Sequence, residues 1–155
     1  MRKRIDPQLH PDADVEPQRW IDLERVAEVV VSSEDPSHPI EAALLPGRAG
    51  GWKAAEHGIQ TVRILFDAPQ TLNHIHLMFT AEEEPRTQEF VLRWAAGEDL
   101  PRKEIVRQQF NFAGASAEVE EYEVRLSGVK LLELEINPSI SGGPYFASLS
   151  EMRLR

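Results

Sequence analysis

From Trp20 onward the chain alternates apolar and polar residues with a period of two. "AEVVVSS" places Ala27, Val29 and Val31 on one face, and "TVRILFD" places Val62, Ile64 and Phe66 on one face with Arg63 and Leu65 on the other. "TLNHIHLMF" sets Ile75, Leu77 and Phe79 against His74, His76 and Met78, and "EFVLRWA" sets Phe90, Leu92 and Trp94 against Glu89, Val91 and Arg93. "EIVRQQFNF" sets Val106, Gln108 and Phe110 against Arg107 and Gln109. "YEVRL" opposes Tyr122, Val124 and Leu126 to Glu123 and Arg125, and "LLELEI" opposes Leu132, Leu134 and Ile136 to Glu133 and Glu135. Side chains of a strand point alternately to its two faces, so this rhythm predicts strands buried on one side. The last run, "ASLSEMRLR", changes phase between Leu149 and Met152, as a bulge would.

Turn chemistry separates the runs: Pro46-Gly47, Ala68-Pro69, Gly97-Glu98-Asp99, Gly114, Ser127-Gly128 and Gly142-Gly143-Pro144. Around eight antiparallel strands spaced this way predict an all-β sandwich or jelly roll. One short helix is predicted at "SHPIEAALL", with Ser37 as its cap, Pro39 in its first turn, and Pro46 and Gly47 ending it. Residues 1–19 carry three prolines, several charges and no apolar period, and read as a flexible N-terminal arm ahead of a domain over 20–155.

A chain of 155 residues with 41% hydrophobic residues suits one domain with one core. The balance of 26 acids against 17 bases gives a net charge of −9, which argues against a nucleic-acid partner, because phosphate binding needs a basic field. The dense basic run Arg2, Lys3, Arg4 reads as part of the arm. There are no cysteines, so disulfides and thiolate metal sites are excluded, in keeping with a reducing compartment. No signal peptide is visible and no apolar stretch reaches the roughly 18 residues of a membrane span. A cytoplasmic location without a membrane partner is the expectation.

The order of features then resembles a known family. A first strand ending in "VVVSSED" leads to "HPIEAALL" and "GGWKA", followed by "GIQTVRILFDAPQTLNHIHLMF", "RTQEFVLRWAAGED" and the closing "ASLSEMRLR". This order, over residues 21–155, resembles the galactose-binding-like jelly roll of discoidin or coagulation-factor type C domains and of several carbohydrate-binding modules. The resemblance implies a β-sandwich whose loops at one end carry the ligand, with residues 80–88 forming one such loop, and it implies a possible structural calcium ion. The cysteine pair that ties the termini of the secreted discoidin type is absent here.

Several residue groups carry candidate chemistry. His74 and His76 project from one strand face, about 7 Å apart, a spacing that can hold a metal if a third ligand joins them. The alternative, which we favour, is two histidines on a wet face. Arg86 and Gln88 offer planar groups that form paired hydrogen bonds with hydroxyls and carboxylates. Arg93, Arg107, Arg125, Glu89, Glu123 and Glu133 read instead as cross-strand pairs over a solvated sheet. Trp52, after Gly50-Gly51, can stack on a sugar ring or pack under its loop; Tyr145, after "SGGP", can line a groove. "AEEEP", residues 81–85, clusters carboxylates of the kind calcium prefers, but without the spacing of a dedicated loop. No catalytic signature such as G-x-S-x-G, a P-loop or H-E-x-x-H is present.

The expectation is a non-catalytic binding module for a carbohydrate or similar small polar ligand, with Trp52, Arg86, Gln88 and Tyr145 as ligand-binding residues and no cofactor beyond that calcium. The alternative is an intracellular protein–protein interaction domain. A metal-dependent enzyme using His74 and His76, or a scaffold like the DNA-repair domain that shares this fold, ranks below both.

Overall fold

The computed structural model describes residues 1–4, 19–81, 84–113 and 116–155. Most of the expected arm (residues 5–18), two carboxylates of the acid run (Glu82 and Glu83) and the expected turn at Gly114 lie outside the described residues. In chain order the elements are α1 (Leu23–Val26), β1 (Ala27–Val31), α2 (Glu41–Leu44), β2 (Trp52–His57), β3 (Gln60–Ala81), β4 (Arg86–Ala95), β5 (Lys103–Phe112), β6 (Ser116–Asn137), β7 (Phe146–Leu149) and β8 (Glu151–Leu154).

Two 22-residue strands, β3 and β6, build both layers of a sandwich. Their halves that meet at Val62↔Leu134 and Ile64↔Leu132 form one layer, with β1 beside β3 and β4 then β5 beside β6. Their other halves, paired at Ile75↔Tyr122 and Leu77↔Glu120, form the second layer, with β8 beside β3. A short β2–β7 ribbon extends that side. All these pairings are antiparallel. The Ala68-Pro69 and Ser127-Gly128 turns expected from sequence are therefore bends inside continuous strands. Register slips between Leu65 and His74, Pro69 has no N–H to donate, and Gly128 takes φ +72°. The ribbon turns the corner there as one piece.

The apolar faces read from the sequence meet inside. Val62, Ile64, Phe66, Ile75, Leu77, Phe79, Phe90, Leu92, Leu132, Leu134 and Ile136 share one buried cluster. Val91 departs from the alternation. It sits on the polar face of β4 yet is 1% exposed, flanked on the neighbouring strands by Arg107 and Glu135. On the same face Glu133 accepts from Arg63 Nε at 2.8 Å and Arg93 Nη1 at 3.3 Å, and Glu89 accepts from Arg107 Nη1 at 2.8 Å. These are the cross-strand pairs expected of a solvated sheet. Glu123 and Arg125 form no such pair among the described residues.

The predicted helix shortens to one turn, and Ser37 does not cap it. Its entry is held by Glu34, whose Oε1 accepts from Ile40 N at 2.6 Å. The segment before α1 is tied to the last strand without a disulfide. Ile21 N donates to Leu154 O at 2.7 Å, and the Trp20 ring lies 4.5 Å from the Arg155 guanidinium.

Between β5 and the first half of β6, Gln108 Nε2 donates to Glu120 at 2.7 Å, and Tyr122 Oη donates to Gln108 Oε1 with Glu120 Oε2 3.2 Å away. Burial and the adjacent Glu120 carboxylate push Glu118 up from 4.5 to about 7. The folded state therefore keeps a proton that the unfolded chain releases. Stability falls as pH rises through this window, by on the order of 1 kcal/mol after solvent screening. Urea midpoints at acidic and neutral pH check this, and Glu118→Gln is expected to flatten the difference.

Candidate functional site

The site begins with a loop that only glycine permits. After α2, Pro46 and Gly47 stop the helix, and Gly50 and Gly51 take φ +94° and +62°. Gly51 passes so near β7 that a Cβ there would lie 2.6 Å from Leu149 O. This close approach seats Trp52, the first residue of β2, beneath the loop. Its ring is 1% exposed and its Nε1 donates to Ser33 O at 3.2 Å. A sugar therefore cannot stack on the face of Trp52, and packing under the loop is the role the structure gives it.

The serine-rich end of β1 serves the same framework. Ser32 and Ser33 hydroxyls both donate to Gln60 Oε1 at 2.7 Å, and Ser33 Oγ accepts from Ala55 N at 3.0 Å. Lys53 is pinned through its backbone: its N donates to His38 O at 3.2 Å and its O accepts from Asp35 N at 2.8 Å. Asp35 is held below its ordinary value by the Ser37 N–H and, after the opposing cost of burial, by His38 and Lys53.

On the other side, the phase break near Ser150 is the point where the chain changes partner. β7 pairs with β2, and β8 pairs with β3. Ser150 Oγ donates to Thr80 Oγ1 at 2.8 Å, and Ser148 Oγ lies 3.5 Å from Thr80 O. Between the glycine loop and these strands lies an open cleft of about 560 Å³. Met78 supplies an apolar side chain over the buried Trp52 and Leu149; Thr80, Ser148 and Ser150 supply hydroxyls; Arg48, Lys53, Arg86 and Arg153 supply positive charge. Such a volume is in the range of small-ligand sites, and its lining is more polar than apolar.

The four residues singled out from sequence are distributed unevenly about this cleft. Arg86 lines it, is 8% exposed, and donates from Nε to Pro138 O at 2.8 Å. Its guanidinium lies 5.2 Å from the Tyr145 ring and 5.3 Å from the Phe112 ring, so Tyr145 stands beside the cleft by packing on Arg86. β3 runs to Ala81 and Arg86 opens strand β4, so residues 80–81 and 86–88 of the loop expected over 80–88 are strand instead. Gln88, on the same strand face, is 2% exposed and does not line the cleft. Arg48, Lys53, Thr80, Ser148 and Ser150 were not recognised from sequence. The flanking of Gly50-Gly51 by Arg48 and Lys53, and the Ser-x-Ser spacing beside the phase break, are the signals that mark them.

His74 and His76 do share one face of β3. Glu121 accepts a hydrogen bond from each ring, His76 Nε2 lies 3.1 Å from Glu151, and the Trp20 ring covers both at 5.9 and 6.1 Å. Burial raises Glu121, but the hydrogen bonds from His76 and His74 outweigh it and hold the carboxyl below its ordinary value. No group of three or more acidic or histidine side chains that could hold a metal occurs among the described residues. No helix among them is long and apolar enough to cross a membrane.

Solved structures with a similar fold include carbohydrate-binding modules and a type C domain. A family 32 carbohydrate-binding module from Clostridium perfringens, in complex with GalNAc-β-1,3-galactose, is 14% identical with a TM-score of 0.64, covering 88% of this chain and 99% of the module. The family 32 module of AlyQ, in complex with 4,5-unsaturated mannuronic acid, is 14% identical with a TM-score of 0.63, covering 88% of this chain and 98% of the other. An F5/8 type C domain from Bacteroides fragilis is 18% identical with a TM-score of 0.58, covering 89% and 97%. No family model and no curated protein matches the chain. The fold is the galactose-binding-like jelly roll that the order of motifs implied.

Proposed function

We propose that the protein is a non-catalytic module that binds a carbohydrate in the cleft between the glycine loop and strands β3, β7 and β8. The observation that carries this reading is the composition of the cleft. Thr80, Ser148 and Ser150 present hydroxyls beside the part-exposed apolar side chain of Met78. A sugar ring has the matching character, with C–H faces that seek apolar contact and hydroxyls that donate and accept at its edge. Met78, Thr80 and Ser148 stand on strands and Ser150 on the tight junction between β7 and β8, so little conformational entropy is lost on binding. Similarity to modules solved with bound saccharides supports the same reading.

A glycan array probed with the whole chain tests it. Thr80→Val and Ser150→Ala break the 2.8 Å hydroxyl pair without touching the core. Each is expected to weaken binding about tenfold, near 1.4 kcal/mol, with an unchanged circular dichroism spectrum. Full affinity in both variants would place the ligand elsewhere.

A further inference from the structure

We infer that the cleft selects saccharides bearing a carboxylate, with Arg48 and Lys53 as the residues that recognise the acid. This rests on the cleft being a sugar site and adds the class of sugar.

The argument starts from how the chain spends its cations. With 17 bases against 26 acids, a positive side chain readily finds a carboxylate. Most strand cations have done so or are committed otherwise. Arg63 and Arg93 are held by Glu133, and Arg107 by Glu89 and Glu104. Lys130 donates to Asp67 O, Arg102 to two carbonyls, and Lys103 lies over Trp94. In the cleft itself, Arg153 is used by Ala43 O, Met152 O and Glu151.

Arg48 and Lys53 differ. Both line the cleft, and among the described residues neither side chain forms an ion pair or a hydrogen bond. Lys53 feels the field of Asp35 from a distance, while Asp35 itself pairs with His38 at 3.3 Å. Among the described residues, the one carboxylate lining the cleft, Glu151, is shared between Arg153 and His76. Among the described residues, Arg48 and Lys53 therefore bring positive charge to the cleft that no carboxylate pairs, on a protein of net charge −9. Other unpaired arginines, such as Arg125, lie outside it, and Arg125 has Glu123 two residues away on the same strand face.

The chemistry of the two cations is complementary. A guanidinium meets a carboxylate with two parallel hydrogen bonds, and an ammonium adds a point charge. Lys53 projects from a backbone fixed on both sides, whereas Arg48 stands on a loop between two glycines in the left-handed region. The hydroxyls of Thr80 and Ser150 remain for the ring. A uronic acid and a sialic acid share the carboxylate that this arrangement reads, so the two sources must be separated by experiment.

Isothermal titration with the whole chain does so, using an oligouronate, its methyl ester, the neutral oligosaccharide of the same backbone, and a sialylated glycan. The expected result is that one of the two acids binds at least about tenfold more tightly than the ester and neutral sugars, and that added salt weakens it. Arg48→Gln and Lys53→Gln are each expected to reduce that affinity about tenfold without moving the unfolding midpoint, since neither side chain supports the fold. Equal affinity for acid, ester and neutral sugar overturns the inference and leaves the carbohydrate reading standing. An acid preference unaffected by either variant overturns the assignment of Arg48 and Lys53. Failure to bind any member of the panel overturns both.

Discussion

Replacing Gly51 by alanine is expected to destabilise the protein by about 2–4 kcal/mol and to disrupt the cleft at the same time. Two costs combine. A residue with a side chain pays roughly 1–2 kcal/mol to adopt the left-handed region, and Gly51 sits there at φ +62°. The added Cβ would also lie 2.6 Å from Leu149 O and 2.9 Å from Ser150 Cα. Both are backbone atoms of the β7–β8 junction and cannot rotate aside as a flexible side chain would. Relief requires the glycine loop to lift or β7 to slide, and either movement pulls Trp52 from its place over the core. Gly50 is the control. Its φ is +94°, but a Cβ there meets nothing within 4 Å, so Gly50→Ala should cost only the conformational share, about 1 kcal/mol. Urea midpoints for the two variants separate the contributions. Equal losses would show that the close approach to β7 has no energetic weight.

Much of the architecture was legible because a rhythm of two reports the buried face of each strand directly. Ile75, Leu77 and Phe79 point inward as read, and so do Val62, Ile64 and Phe66. The same rhythm is silent about partners. It cannot show that these two runs belong to one strand bent at Pro69, since bending depends on how β3 and β6 pair across the corner. Nor does it reveal β2. In "WKAAEH" only Trp52 and Ala54 face inward, and the rest of the strand is too wet to alternate. Ser37 had the right chemistry for a helix cap, but Glu34 reaches the same place from six residues upstream of Ile40. The order of motifs was informative because the order of elements along the chain determines which layer each must join.

The site was legible only in part, for a different reason. Arg86 and Tyr145 could be singled out by side-chain type, and the fold brings them together at 5.2 Å. Trp52 suited either stacking or packing, and only burial separates the two. The distinction of Arg48 and Lys53 lies in having no partner among the described residues, a property set by where the other charges fall. Glu133 and Glu89 had to be seen paired with Arg63, Arg93 and Arg107 before the remaining cations stood out.

Arg153 offers the second large effect, because it joins the framework to the cleft through a buried charge. A one-turn helix leaves its last carbonyls without intrahelical partners. In α2 these are met from β8: Arg153 Nη1 donates to Ala43 O at 2.9 Å and Nη2 reaches Leu45 O at 3.4 Å. Nη1 also donates to Met152 O at 2.8 Å, and Nη2 lies 3.1 Å from Glu151. Arg153→Met keeps the apolar stem but removes every donor, which strands buried carbonyls and leaves Glu151 without its cation. The expected loss is about 2–3 kcal/mol in a urea titration. The loop that carries Arg48 begins at the same carbonyls, so ligand affinity should fall with stability. Arg153→Lys should recover part of the loss, because an ammonium keeps the charge and can donate to a carbonyl but lacks the planar fork that spans both sites. If the methionine variant unfolds at the wild-type midpoint, water replaces the guanidinium at α2, and the helix and the glycine loop that follows it are held by the packing of Ala43 and Leu44 alone.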